Sequence, residues 1–261
     1  MISYDLPLYR PPSEAENIII QATIGCSFNA CSFCGMYKDK IYRARPLPDV
    51  IRDIDEAARL RPDARRVFLA DGDALALPTV DLLTILATAR AAFPSLERVS
   101  AYATPINLRE KLVDELRDLS AAGLTLAYLG IESGSPEILK RIGKGAALRT
   151  IASGIDKAWA AGMAISATVI LGLGGRRLWR EHIDGTVRLV NTSAPDYLST
   201  LQLRLDERTR PDFVERFTRF GEPFIDQDDA GILDELFQLL SGLAPATPVV
   251  FRSNHASNCL P

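Results

Sequence analysis

Histidine is nearly absent: the chain has two, His182 and His255, among 261 residues. Any general acid–base work must therefore fall on carboxylates, tyrosine or lysine. Long apolar runs are missing as well. None approaches the roughly 18 residues of a membrane helix, and Met1-Ile2-Ser3-Tyr4-Asp5 lacks the basic-then-apolar pattern of a secretion signal. A positive excess is also lacking. The net charge of −3 offers no general attraction to phosphate backbones or anionic bilayers, so neither nucleic acid nor membrane is an expected partner. There is no internal repeat, low-complexity segment or linker. These absences point to a cytoplasmic protein whose thiols stay reduced. At 47% hydrophobic, the chain buries a full core, and α/β barrels of roughly 250 residues are commonly single units.

Cysteine is scarce too, but it is concentrated. Cys26, Cys31 and Cys34 fall in Gly25-Cys26-Ser27-Phe28-Asn29-Ala30-Cys31-Ser32-Phe33-Cys34-Gly35-Met36-Tyr37, and the fourth is Cys259. Clustered cysteines in a long chain without a signal favour metal or redox use over two disulfides. Three thiolates can hold three irons of a cubane and leave the fourth iron open, whereas iron–sulfur clusters normally take four cysteines. A structural zinc site wants four ligands, and only the distant His182, His255 and Cys259 could complete one. A zinc-binding module and inert thiols stand as alternatives to a cluster.

Periodicity places elements along the chain. Residues 1–16, with Pro7, Pro11 and Pro12, form an irregular lead-in. The run 17–25 is a buried strand ending in the cysteine loop, and a helix follows to about 60. Further strands are predicted over 66–70, 98–102, 125–131, 164–171, 197–203 and 248–252. Helices are predicted over 80–92, 109–121, 177–190, 211–219 and 229–242, with a helical region around 136–161. Strand and helix alternate in units of roughly 30 to 45 residues, which argues for parallel strands with helices outside. Right-handed crossovers would wrap six units into a partial (β/α)6 TIM-like barrel. The division expected is a lead-in (1–16), a barrel core (17–205) and a C-terminal helical and strand extension (206–261) packed on it. The sequence ends at Leu260-Pro261 without a terminal helix, which leaves truncation open. In such barrels function sits at the loops after the strands, and the polar clusters Asp71-Gly72-Asp73, Glu132-Ser133-Gly134 and Gly172-Leu173-Gly174-Gly175 all follow strands.

The cysteine loop resembles that of the radical S-adenosylmethionine superfamily, whose mark is Cys-x-x-x-Cys-x-aromatic-Cys. Cys31-Ser32-Phe33-Cys34 matches the second half. The first gap holds four residues instead of three, a Cys-x4-Cys-x2-Cys pattern that reads as a subfamily mark. Asp71-Gly72-Asp73 lies where the family has Gly-Gly-Glu, and Gly130-Ile131-Glu132-Ser133-Gly134-Ser135 is similar to a segment of the branch with methylthiotransferase-like and coproporphyrinogen-dehydrogenase-like enzymes. Ile170-Leu171-Gly172-Leu173-Gly174-Gly175 resembles the family's glycine segment.

The resemblance implies a [4Fe–4S] cluster on Cys26, Cys31 and Cys34, with S-adenosylmethionine chelating the open iron. It implies that Phe33 and Gly172 lie near the adenine, that Asp71, Gly72 and above all Asp73 bind the methionine ammonium, and that Glu132, with Ser133, faces the ribose hydroxyls. Lys144 would neutralise the cofactor carboxylate or be solvated. The implied reaction is reductive cleavage to methionine and a 5′-deoxyadenosyl radical that abstracts hydrogen from a small or unknown substrate, fed by a donor such as flavodoxin or ferredoxin. The alternative in another class is an iron–sulfur electron-transfer or cluster-carrier protein. Substrate-side candidates are Arg204, which could hold a carboxylate or a rim salt bridge, Tyr102 with Thr104 and Asn107, and Cys259 as hydrogen donor, ligand or incidental thiol. His182 reads as structural. His255 and Cys259 sit in a polar tail that could cover the barrel mouth.

Overall fold

A computed structural model describes residues 2–221 and 223–259; Leu260 and Pro261, on which the truncation question turns, lie outside them. The chain forms two compact units. One comprises Met1–Asn29, Met36–Leu129 and Lys157–Ile165; the other comprises Ala30–Gly35, Gly130–Asp156 and Ser166–Pro261.

In the first unit, β1 (Ile18–Gln21), β4 (Arg66–Ala70), β5 (Arg98–Ala103) and β6 (Leu124–Glu132) follow one another as parallel neighbours, with Ile18 opposite Val67, Val67 opposite Val99 and Ala101 opposite Ala127. Val67, Phe68, Leu69 and Ala70 are all fully buried, the signature of a strand covered on both faces. Helices α1 (Leu47–Leu60) and α2 (Thr79–Ala92) pack on one another. α1 buries Val50, Ile54 and Ala57 at helical spacing. A short antiparallel pair, β2 (Thr23–Ile24) with β3 (Arg43–Ala44), stands apart from the ladder.

Two predicted elements differ here. The strand expected over 17–25 changes partner at Ala22, pairing first with β4 and then with β3. The helix expected over 109–121 is two helices, α3 (Pro105–Glu110) and α4 (Val113–Ala121). Thr104 and Asn107 form a capping box that starts α3 early. Lys111 then turns extended, and Glu115 accepts the Leu112 N–H at 2.7 Å to open α4.

The lead-in is tied down. The Gln21 amide accepts from Asp5 N (2.9 Å) and donates to Asp5 O (3.1 Å), and Tyr4 Oη donates to Ile19 O at 2.8 Å. Glu14, fully buried, takes Arg98 Nη2 at 2.9 Å together with the Tyr128 hydroxyl and the Asn17 amide.

In the second unit, β7 (Ala164–Leu171) from Ser166 onward, β8 (Tyr197–Gln202) and β9 (Val250–Arg252) run parallel, with Ser166 opposite Tyr197 and Leu198 opposite Phe251. Helix α7 (Gly175–Thr192) packs on α9 (Asp229–Gly242). The helical region expected around 136–161 is α5 (Pro136–Arg141) and α6 (Leu148–Ala160), separated by a turn in which Gly143 and Gly145 take positive φ (63° and 73°). α8 (Thr209–Thr218), α9 and β9 are the predicted C-terminal helices and strand. The seven strands of the parallel sheet, alternating with helices, make the α/β architecture expected, a partial TIM-like barrel.

Candidate functional site

Asp71-Gly72-Asp73 follows β4 in the first unit, and its three residues do different things. Asp71 is closed to solvent, and its Oδ2 takes Lys40 Nζ (3.0 Å), Gln21 Nε2 (3.3 Å) and Gly25 N (3.1 Å). It therefore anchors the start of the cysteine loop, with the Lys40 ammonium beneath it. Gly72 is required by packing: a Cβ there would stand 2.4 Å from the Tyr37 ring. Asp73, also closed to solvent, accepts from the Ser27 hydroxyl through Oδ2, while Oδ1 is buried with no partner. Burial pushes its carboxyl up to about 6, against the Ser27 hydroxyl and the Asn107 amide, which lower it. Ser27 directly follows Cys26, so the cysteine loop and the acidic turn share one hydrogen bond. Asn29 takes a left-handed φ of 40° and donates to Tyr37 O at 2.6 Å. Tyr102 stacks edge-on against Phe68 and Tyr128 at 5.1 and 6.1 Å, while Thr104 and Asn107 cap α3.

The second half of the cysteine loop, Ala30–Gly35, belongs to the second unit. Ile142 O accepts both Ser32 N (2.9 Å) and Ser32 Oγ (3.1 Å), and Arg216 Nη1 donates to Ala30 O at 3.2 Å. Gly35 lies against Asp206 and Thr209, where Asp206 caps α8 through Thr209 N at 2.7 Å. Cys31, Cys34 and Phe33 are half-buried, as is Cys26 in the first unit. No cysteine forms a disulfide. Among the described residues, no three His, Cys, Asp or Glu side chains are gathered as ligands of one metal ion, an arrangement a cubane does not need, since its thiolates bind separate irons.

Glu132 ends β6 in the left-handed region, φ 60°, a conformation that costs a non-glycine residue about 1 kcal/mol. Lys144 Nζ holds its Oε1 at 2.8 Å, both side chains nearly closed to solvent, so the lysine is paired rather than solvated. Gly130 is bare because a Cβ would meet Glu132 Oε1 at 2.0 Å. Ser133 Oγ bonds His182 Nδ1 at 2.8 Å, and His182 Nε2 meets Ile170 O at 3.0 Å. That histidine is fully buried and held neutral by desolvation, its basicity lowered to about 4. It is structural, as read from sequence, although it faces inward from α7. Gly134 N donates to Thr186 Oγ1 at 2.9 Å, and its backbone lies on Gly185.

Gly172, at φ 82°, donates its N–H to Glu235 Oε2 at 2.7 Å, and a Cβ there would press Ile232 Cδ1 at 2.9 Å. Glu235 is fully buried on α9, with its carboxyl pushed up by burial to about 7 and Gln227 Nε2 on its other oxygen at 3.2 Å. The tail runs along the end of β8. Asn258 Nδ2 donates to Thr200 O (3.0 Å) and Ser253 O (2.9 Å), Ser257 Oγ receives Gln202 N (3.2 Å), and Arg204 donates twice to Ser257 O. Arg204 thus ties down the tail instead of making the rim salt bridge. His255 Nδ1 accepts from Ser257 N at 3.1 Å. Cys259 packs against the apolar cluster of Leu171, Ile183, Ile232 and Leu239.

Sequence reasoning passed over Ser27, Lys40 and Glu235. Glu235 did carry a signal: with Ile232 and Leu239 it falls on the buried stripe of α9.

Residues 20–190 match the model of the Radical SAM superfamily, and the chain belongs to that family. No curated protein matches it. Among solved structures it is similar to coproporphyrinogen III oxidase (HemN) from Escherichia coli, a radical SAM enzyme, at 18% identity and TM-score 0.62, covering 86% of this chain and 51% of that one. It is also similar to the radical SAM methyltransferase TsrM from Kitasatospora setae, solved with cobalamin and a [4Fe–4S] cluster, at 15% identity and TM-score 0.60, covering 94% and 54%. A third is HydG, a maturase of the [FeFe]-hydrogenase, at 14% identity and TM-score 0.57, covering 91% and 56%. The chain thus spans about half the length of these structures, and at such identity the likeness is one of fold. Membership implies iron–sulfur and S-adenosylmethionine chemistry, and the residues fit it. Asp73 Oδ1, like Asp71 Oδ1, is a buried acceptor that meets no donor at hydrogen-bond geometry, although the Asn107 amide lies close enough to lower the Asp73 carboxyl; such an acceptor suits an ammonium group. Among the described residues, no helix is long and apolar enough to cross a membrane.

Proposed function

We propose that this chain binds a [4Fe–4S] cluster through Cys26, Cys31 and Cys34 and reductively cleaves S-adenosylmethionine, acting on a small molecule in the cytoplasm. When bound, the cluster and S-adenosylmethionine would supply one-electron cleavage of a carbon–sulfur bond, giving methionine and a 5′-deoxyadenosyl radical that abstracts hydrogen.

The observation that carries this reading is the unsatisfied Asp73 Oδ1, in a carboxyl whose other oxygen is fixed by the residue after Cys26. A buried acceptor without a donor costs about 1–3 kcal/mol, and an ammonium would both satisfy it and favour the ionised carboxylate. Asp73 orients and charge-pairs; Ser27 fixes its rotamer; Gly72 makes room for the Tyr37 ring between the two aspartates. Glu132, held by Lys144, offers its remaining acceptor capacity to hydroxyl groups. The Gly172 turn is pinned by Glu235 and packed under Ile232, which fixes the course of the backbone after β7. With both histidines engaged internally, proton handling falls on carboxylates and tyrosines.

The test is anaerobic reconstitution with S-adenosylmethionine and dithionite, quantifying 5′-deoxyadenosine and methionine beside a Cys31→Ala control. Deoxyadenosine that the control loses supports the reading. Methylthioadenosine in its place would mean that a different bond breaks. Neither product, with iron and cofactor bound, leaves a cluster carrier and overturns the enzyme.

A further inference from the structure

The turn between α5 and α6 bounds an open groove of about 690 Å³. Its floor is apolar, formed by Leu139, Ala146 and Leu148 with the bare backbone of Gly143, and Lys140 and Arg149 stand at its rim. Charge here runs against the rest of the molecule. From Pro136 to Arg149 the chain carries Lys140, Arg141, Lys144 and Arg149 against Glu137 alone, within a protein of net charge −3. Arg141 and Lys144 are mostly buried and paired, with Glu137 and Glu132. Lys140 and Arg149 are exposed, and among the described residues neither forms an ion pair; the Lys140 ammonium instead lies 4.3 Å from the centre of the partly exposed Phe220 ring. An apolar floor with charged residues at its edge is the anatomy of a protein interface, and unpaired cations at the edge select an acidic partner.

The same turn holds the cysteine loop. Ile142 O takes both the N–H and the hydroxyl of Ser32, the residue next to Cys31, and a Cβ on Gly143 would lie 3.6 Å from Ala30 O. A partner seated in the groove is therefore one backbone turn from the residues that carry Cys31 and Cys34.

We infer that this groove is the docking surface for an acidic one-electron carrier protein, which gives up one electron there and is itself oxidised by one electron. The inference rests on the cluster reading above. Each transfer reduces the cluster by one electron, and the spent carrier departs.

The test compares wild type with Lys140→Glu/Arg149→Glu, neither residue being assigned to cofactor binding, using reduced flavodoxin and dithionite as alternative electron sources. Dithionite is a small ion that needs no docking, so deoxyadenosine formation with it should stay within about twofold, while flavodoxin-driven formation should fall at least about tenfold. Titration calorimetry of flavodoxin should show binding weakened by salt and by the double substitution, and kept by Lys140→Arg/Arg149→Lys. Unchanged flavodoxin-driven turnover or binding, or an equal loss with both reductants, would overturn the surface. If wild type makes no deoxyadenosine with either source, the enzymatic reading fails on its own, and calorimetry still decides the surface.

Discussion

Lys144 Nζ lies 2.8 Å from Glu132 Oε1, with the two side chains only 11% and 9% exposed. The pair holds the one non-glycine residue at a described strand end whose φ is left-handed. Breaking such a pair by removing one partner strands the other charge, at about 3 kcal/mol. Lys144→Met should therefore lower the urea midpoint without changing the m-value. Lys144→Met/Glu132→Gln should recover most of the loss. A single-substitution cost under about 1 kcal/mol would mean that water screens the pair.

Asp73 should make stability fall as pH rises. Its carboxyl ionises near 3.8 in the unfolded chain and at about 6 in the fold, so between these values the native state holds the extra proton. Stability is then lost from about pH 4 to pH 6 and stays lower above, by up to about 3 kcal/mol. Asp73→Asn should be the more stable protein at pH 7.5, match wild type near pH 4, and lose S-adenosylmethionine binding. Urea titrations of both proteins at pH 4, 5.5 and 7.5 measure the difference. A constant offset across that range would contradict it.

Gly185→Ala tests how the Glu132–Ser135 segment is seated. Inside a helix this exchange ordinarily stabilises by about 1 kcal/mol. Here the new Cβ would stand 2.7 Å from Gly134 O, a backbone atom with nowhere to turn. The sign should reverse, to a cost of about 2 kcal/mol or more, with the thermal midpoint as readout. A stabilised variant would show that the two backbones are not in contact.

The sequence made the strands legible where burial on both faces wrote an unbroken apolar run, as at Val67–Ala70 and Val169–Leu171. It misplaced elements where a distant partner decides the outcome. Nothing local to Ala22 announces that pairing passes from β4 to β3, because the switch depends on where Arg43 and Ala44 arrive. The start of α3 was legible in principle, since Thr104-Pro105 is a cap followed by a proline at the first helical position. Of the site, the motif residues could be named, but their supports could not. Lys40 beneath Asp71 and Glu235 behind Gly172 are ionisable residues drawn inside by partners 31 and 63 positions away. Lys144 showed the reverse error: exposure is the usual fate of a lysine, and here the folded-back Glu132 determines it.

The bonds from Asp5 and Tyr4 to β1 bear on more than the packing of the lead-in. β1 is the last strand in its ladder, and Ile18-Ile19-Ile20 is the kind of short apolar strand on which another copy of the chain can grow a sheet. The Gln21 amide meets both main-chain groups of Asp5, much as a neighbouring strand would, and Tyr4 occupies the Ile19 carbonyl. The lead-in around Tyr4 and Asp5 therefore covers part of this strand's open edge, and trimming it should leave that edge free to pair with another copy of the chain.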